Sequence, residues 1–520
     1  MNKSKGGKVA AVIDIGSSLV KMKVCQVKNK RVELIDQLEC PVRIGHEVFN
    51  FGTISSDCLK ELVHILHGFQ KVMEEYGVQE YKVVATTALR EAKNKSFVQD
   101  QLRVQNHMEV EVFEDNQEKT LIYSEVIQAI HKHTEKKGKD FNTTLISHIG
   151  TGSIGLGIFN GSNLTFSQNI SIGSLKLHDV LGSIQDDTEE FYNVVEEYLD
   201  ALLGRITLPV PNKSIDGMVV TGNEIEIIAK LCEVPLENDT YSIKTETIMA
   251  LFKTIRMMTP EKISFRYGLS EEQAEMLYSA LAIYVRLSKM TQAKYILSPK
   301  VELWSPLMHH MLIPKSSEEY LDYVESNAIT CAKTFAERYH CNQQHADQIA
   351  FYACKIFDRI KRIHGLTQRH RMILELATIL HDCGYFVDSK FHLESTFDLI
   401  QNIDICGVTY EEMLMTAYVA RFNEIGTPNY DDLDFIHIRE EQKVICSKLA
   451  AIFRLANSLD KSQKQKVKDF KVKLDEERLI ITIQSDENVR LEQWAFELCS
   501  PFFKDVFGLQ PCLTIKSTML

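Results

Sequence analysis

The alternation of apolar and polar positions divides the chain into a strand-rich part, a helical part and a short strand-helix tail. Val9 to Ile15 is an apolar run carrying Asp14, and Val20, Met22 and Val24 alternate with Lys21 and Lys23. Such a run, followed by period-two alternation, predicts two strands joined at Gly16-Ser17-Ser18. Arg31 to Leu38 reads as a third strand. Leu59, Leu62, Val63, Leu66, Phe69 and Met73 recur at helical spacing, which predicts a helix over 56–76. Tyr81 to Ala85 reads as a strand, Thr86-Thr87 opens a helix, Val110 to Phe113 is another strand, and a helix follows from Asp115.

The pattern then begins again. Thr144 to Ile149 is an apolar run, Gly150-Thr151-Gly152-Ser153 a turn, and Leu156 to Phe159 a strand. Asn160-Gly161 signals a hairpin, and Leu164 to Ile172 completes a second three-strand set. The repeat predicts an internal duplication of a βββαβα unit, with a Lys-rich linker from His131 to Lys139 between the copies. A further strand, Gly217 to Val220, enters a Thr221-Gly222-Asn223 turn. From Pro314 the character changes, and residues 317–460 read as almost wholly helical. Strands return at Phe470 to Leu474 and Leu479 to Ile483, followed by a helix over Glu492 to Phe507 and a strand over Pro511 to Lys516. The expected division is a first lobe over 1–130, a second over 140–313, a helical domain over 314–462 and a small α+β module over 463–520.

At ~100–200 residues per domain, 520 residues agree with that division. The formal charge of -12 argues against general binding of nucleic acid or an anionic membrane, which need positive potential. It leaves room for a small polyanion in a local basic cleft. The 12 cysteines contain no Cys-x-x-Cys pair and read as mostly buried thiols of a reducing compartment. The N-terminus lacks an apolar segment long enough for a signal peptide, and no run of ~18 apolar residues occurs. A cytoplasmic location is expected.

Three segments carry candidate chemistry. Asp14 ends a buried strand before Gly16-Ser17-Ser18. Exposed N–H groups and hydroxyls of such a turn can cradle a phosphate while the carboxylate holds a metal or its water, or the turn is an ordinary hairpin. A second copy of the turn favours the phosphate reading. Arg90, in Ala85-Thr86-Thr87-Ala88-Leu89-Arg90-Glu91-Ala92, lies in a first helical turn, where an Arg can bind an anion bidentately or simply face solvent. Glu118 can take a proton from an attacking water, or serve as the N3 residue of an Asp115-x-x-Glu118 cap.

The order Val-Ile-Asp-Ile-Gly-Ser-Ser, Ala-Thr-Thr-Ala-Leu-Arg-Glu-Ala, Glu118-x-x-Leu121-Ile122-Tyr123 and Ile-Gly-Thr-Gly-Ser resembles the exopolyphosphatase/guanosine pentaphosphate phosphohydrolase family. The helical part, with Ile-Leu-His-Asp-Cys-Gly-Tyr and Leu-Ala-Asn-Ser-Leu-Asp, resembles the family's long form. The resemblance implies an α/β fold of duplicated actin/hexokinase/Hsp70-type ATPase lobes, followed by an all-α HD-like domain and a small α+β module. It implies hydrolysis of the terminal phosphate of inorganic polyphosphate or guanosine pentaphosphate, with Mg²⁺ (or Mn²⁺) as cofactor and a homodimer as assembly. By the same resemblance Glu118 and Arg90 are catalytic. Gly16, Ser17, Ser18, Gly150, Thr151, Gly152, Ser153 and Gly222 bind phosphate, and Asp14 holds the metal.

The chain departs from the family pattern at the second turn. His148 and Gly155 stand where an Asp and a Glu are usual, and a neutral imidazole is a poor Mg²⁺ ligand. A protonated His148 could instead pair with phosphate. The Gly-Glu-Glu stretch before the base has become Glu114-Asp115-Asn116-Gln117. These losses motivate an alternative: a non-catalytic or regulatory binder of polyphosphate or guanosine alarmones. In the helical part, His345, His381 and Asp382 match an HD-type metal pattern, but Asn457 replaces its last Asp, so a structural role is expected. His392 is retained and Asn423 stands where a His is frequent. Basic clusters at Arg359, Lys361, Arg362, His364, Arg369, His370 and Arg371, and across Lys461 to Lys473, are either solvated faces or a polyphosphate track.

Overall fold

The structure is a computed structural model that describes residues 8–28, 31–137, 142–181, 188–424 and 438–516. It contains two compact units, Met1–Val324 and Glu325–Leu520. Among the described residues, no helix is long and apolar enough to cross a membrane. All 12 cysteines are free, and seven of them are buried.

The first unit is built on two sheets. The strands of the first are β1 (Val9–Ile15), β2 (Leu19–Lys28), β3 (Arg31–Pro41), β4 (Glu80–Ala85) and β5 (Val110–Val112), in the order β3-β2-β1-β4-β5. Those of the second are β6 (Thr144–Ile149), β7 (Ile154–Phe159), β8 (Leu164–Ile170), β9 (Gly217–Gly222), β10 (Thr240–Lys244) and β11 (Tyr295–Pro299), in the order β10-β11-β9-β6-β7-β8. In each sheet the first strand pairs antiparallel with the second and parallel with the fourth. β5 and β11 occupy matching places, and β10 is an added edge strand. The expected duplication is therefore present in the strand order. β10 and β11 are too short, at five residues each, to stand out by periodicity.

Register carries the repeat down to single residues. Asp14 lies opposite Lys21 across β1 and β2, and His148 lies opposite Gly155 across β6 and β7. β1 and β6 are apolar on both faces because both faces are covered, as central strands require. In the helix Ser56–Glu75, Leu62, Leu66, Phe69 and Met73 form one buried stripe, each worth roughly 1.5–3 kcal/mol of burial. Ser55 starts that helix by accepting from the Cys58 N–H at 3.2 Å.

Two local expectations are corrected. The helix Asp115–Lys137 continues through most of the proposed linker, whose last residues, 138 and 139, lie outside the described residues. His131 packs edge-on against Phe159, a tertiary contact that Lys-rich composition does not reveal. Thr221 and Gly222 are the end of β9 rather than a turn, because β6 pairs with them.

In the second unit the helices Gln343–Arg359, Gln368–Leu380, Tyr410–Arg421 and Glu440–Ser458 surround a core containing Tyr352, Leu376, Tyr418 and Phe453. Strands β12 (Asp469–Asp475), β13 (Arg478–Gln484) and β14 (Gln510–Lys516) form a separate sheet backed by the helix Arg490–Phe507. Phe470, Ile481 and Phe503 join the same core as the helices.

Gly173 shows how tightly the second turn is held. A Cβ there would run into the Gly150 carbonyl oxygen and come within 2.5 Å of the Thr151 carbonyl carbon. The Gly150 carbonyl oxygen already accepts from the Ser174 N–H, and the Thr151 carbonyl oxygen from the Leu175 and Lys176 N–H groups, so these peptides cannot move aside cheaply. Gly173→Ala should cost about 2 kcal/mol by overpacking. Gly68→Ala, with open space in a helix, should gain up to about 1 kcal/mol. Denaturant unfolding of both variants checks the contrast.

Candidate active site

The repeat sets the two turns and the start of the helix Asp115–Lys137 around one cleft. At the first turn, the Gly16 N–H donates to Leu19 O at 3.0 Å, and the Gly45 N–H donates to Ser17 O at 2.8 Å. Ser17 is buried, and its Oγ has no hydrogen-bond partner. Asp14 Oδ1 is likewise sealed and unpartnered. Burial, reinforced by the negative charge of Glu118, pushes the Asp14 carboxyl up to about 7. Ser18 contributes its carbonyl, which accepts from the Val42 N–H at 2.9 Å.

Arg90 does not face solvent. It donates to Phe113 O at 2.6 Å, Thr87 Oγ1 at 2.9 Å and Asp115 Oδ1 at 2.7 Å. Its guanidinium also stands 3.7 Å from Glu118 Oε2. Glu118 is 7% exposed, and that same oxygen has no hydrogen-bond partner. The capping reading of Glu118 is corrected by one hydrogen bond: Gln117 Oε1 accepts from the Glu114 N–H at 2.9 Å. The cap sits one residue earlier, which leaves Glu118 turned into the cleft.

At the second turn, the Gly150 N–H donates to Ser153 O at 2.9 Å. Thr151 O accepts from the Leu175 and Lys176 N–H groups. A Cβ on Gly152 would meet Thr87 Cγ2 and, at 3.0 Å, Phe49 Cζ, so the lobes approach through a missing side chain. Ser153 donates to Asp115 Oδ1 at 3.0 Å and accepts from Lys119 Nζ at 3.1 Å. Gly222 lies against Ile149 O, at 2.5 Å from an added Cβ, so strand packing explains this glycine. The structure thus brings Asp14, Ser17, Arg90, Glu118 and Ser153 to one cleft, and Gly222 serves the sheet beside it.

His148 departs from its cationic reading. Its Nδ1 lies 2.9 Å from Thr221 Oγ1, and its Nε2 lies 3.9 Å from Glu118 Oε1. Burial and the neighbouring Lys119 charge hold its pKa well below the usual imidazole value, so the ring is neutral at pH 7. Sequence reasoning missed Asp115, Lys119 and Glu224. Asp115 joins Arg90 to Ser153. Lys119 is buried on the same helix face as Tyr123, Val126 and Ile130, a spacing of 4, 7 and 11 that was legible. Glu224 accepts from Ser174 Oγ at 2.6 Å, and burial raises its pKa.

The Mg²⁺ implied by the family resemblance finds a one-sided donor set. Asp14 and Glu118 come from the first lobe. The second offers a neutral imidazole at 148 and no side chain at 155, while Lys119 of the first lobe holds its Nζ 3.7 Å from Glu118 Oε1. Magnesium takes one or two carboxylates and fills its octahedron with water and phosphate oxygens, so the fit rests on Asp14 and Glu118 alone, and Glu118 already faces Arg90 and Lys119.

In the second unit His345 and Asp460 form a buried pair at 2.8 Å, and His381 Nε2 lies 3.1 Å from Asp382 Oδ1. The ligand atoms of His345, His381 and Asp382 lie within 4.8 Å of one another. Each already has a protein partner: Asp382 accepts from Gln463, and Asn457 donates to Asn423. His392 stacks on Tyr385. In the first basic cluster, Arg369 pairs with Glu412, and Arg371 with Asp358, Glu375 and Glu325. His364 is buried. In the later cluster, Lys466 pairs with Glu492, Lys468 with Asp486 and Lys471 with Asp469.

A sequence profile of the Ppx/GppA phosphatase family matches residues 23–300, more than half the chain. The chain belongs to the Ppx/GppA phosphatase family. Residues 329–498 match the profile of Ppx/GppA phosphatase, domain III. A relative from Vibrio vulnificus, named guanosine-5'-triphosphate,3'-diphosphate pyrophosphatase, is 22% identical over 81% of this chain and 82% of its own length. One of the same name from Vibrio cholerae is 22% identical over 82% of each. The solved exopolyphosphatase of Cytophaga hutchinsonii aligns with a TM-score of 0.51 at 20% identity, over 59% of this chain and 98% of its own. That likeness shows the fold: the Ppx/GppA type of actin-like α/β sheets, here followed by a helical C-terminal region.

Two outcomes follow. Asp14 keeps its proton in the folded state to about pH 7 but loses it near 3.8 when unfolded. The folded state then binds more protons, so stability falls as pH rises between those values and levels off above. Asp14→Asn should therefore gain stability over the parent between pH 4 and 7, read from melting curves at each pH. In the second unit, Asp460→Ala should cost about 3–5 kcal/mol, because it strands buried His345 and the Gln465 N–H. Chemical denaturation measures it.

Proposed function

We propose that this chain releases the terminal phosphate of inorganic polyphosphate or guanosine pentaphosphate. The observation that carries the reading is Glu118 Oε2, buried, without a hydrogen-bond partner and 3.7 Å from Arg90. A buried carboxylate oxygen with free lone pairs is suited to orient a water and take its proton. Water attacks the terminal phosphorus in line with the leaving oxygen. Arg90 and the turn N–H groups near Ser17 and Ser153 stabilise the charge that develops on the transferred phosphoryl group. Arg90 is already aligned by Phe113 O and Asp115, so little ordering remains when the anion arrives.

Membership of a phosphatase family, together with the retained Asp14, Arg90 and Glu118, favours hydrolysis over a non-catalytic binder. The names of the Vibrio and Cytophaga relatives support both substrate classes. For the second unit, we propose an HD-like helical arrangement in which His345, His381 and Asp382 hold helices together.

Glu118→Gln should lower phosphate release by about a thousandfold while polyphosphate binding stays largely intact. Orthophosphate release from long-chain polyphosphate and from guanosine pentaphosphate, with calorimetry on the same samples, checks both halves. Turnover at the parent rate would show that Glu118 has another role.

A further inference from the structure

Lys119 is 1% exposed, and its stem lies across Gly155. A Cβ at position 155 would stand 2.9 Å from Lys119 Cδ, 3.0 Å from Cε and 2.6 Å from Tyr123 Oη. The lysine stem therefore fills the space an acidic side chain at 155 would need. Its Nζ ends at the second turn. It donates to Ser153 Oγ at 3.1 Å and stands 3.7 Å from Glu118 Oε1. It is also 4.0 Å from the point where a Cβ of Gly150 would lie. Lysine is almost never fully buried unless paired, and here Glu118 and Ser153 are its partners. The ammonium thus lies among the groups that face an incoming phosphate, while the second lobe has no acid at positions 148 and 155.

We propose that Lys119 Nζ is a resident cation of the second turn that takes the charge-neutralising place of a divalent metal toward the terminal phosphate. The proposal rests on the phosphohydrolase reading of the same cleft. Glu118 and a phosphate repel one another. A fixed positive charge beside Glu118 reduces that repulsion and orients Ser153 toward the anion. Lys119 acts through these two groups and is a positioning residue. Binding of the terminal phosphate then needs no added metal.

The test is calorimetry of inorganic polyphosphate binding to the full chain, in EDTA and in Mg²⁺, with phosphate release followed in parallel. The parent should bind within roughly threefold under both conditions. Lys119→Met keeps the apolar stem without the charge. It should weaken binding in EDTA by about tenfold or more, and Lys119→Arg should recover part of the loss. A purely packing role would leave Met at least as good as Arg. Polyphosphate binding by the parent that appears only with Mg²⁺ would falsify the proposal, and so would a Lys119→Met variant that binds like the parent in EDTA. Intact metal-free binding without phosphate release would sink the hydrolase reading and leave the Lys119 assignment standing. The parent comparison needs no variant, so it can overturn the proposal even if Lys119→Met does not fold, and Lys119→Arg then carries the residue-level test.

Discussion

One oxygen, Asp115 Oδ1, ties the cleft together. It accepts from Arg90 in the first lobe and from Ser153 in the second. A single carboxylate thereby fixes the Arg90 guanidinium and the hydroxyl of the opposing turn. The Ser153 hydroxyl in turn accepts from Lys119, so the arrangement runs through four side chains. Charged hydrogen bonds in a dry site are strong and geometrically demanding, and removing one partner would unsettle the rest. The Lys176–Glu91 ion pair at 2.7 Å adds a second tie between the lobes, nearer to solvent.

The charge pattern of the cleft follows from that arrangement. The first lobe supplies three carboxyl groups, Asp14, Asp115 and Glu118, and the charge of Glu118 adds to the cost of ionising buried Asp14. The second supplies no acid at positions 148 and 155. An overall charge of -12 therefore says little about what the cleft accepts. The local balance of Arg90, Lys119, Asp115 and Glu118 decides it, at distances below a Debye length.

Much of this was legible in the sequence, for identifiable reasons. Buried runs such as Val9–Ile15 and Thr144–Ile149 advertise central strands, and small-residue turns after them advertise the repeat. Asp14, Arg90 and Glu118 sit at element ends, where the sequence pattern itself breaks. Lys119 was passed over as a buried group because a lysine on a helix reads as solvent-facing. Only its spacing to Tyr123 and Val126 contradicts that. Asp115 looked like a helix cap, since composition cannot show a bond to a residue 38 positions away. The short strands β10 and β11 were hidden by their shortness, and the end of β9 by turn-forming residues that β6 holds extended.

The contact between Lys119 and position 155 also bears on how such a cleft can change over generations. With Lys119 in place, an acid at 155 has no room, and with an acid in place the lysine stem has none. Substitutions at touching sites are not additive, so each is costly unless the other has already occurred. A lineage that exchanges one for the other must pass through a step in which one of the two positions carries a small neutral residue. In this chain position 155 is already glycine, so any exchange of the charge arrangement has to begin at Lys119.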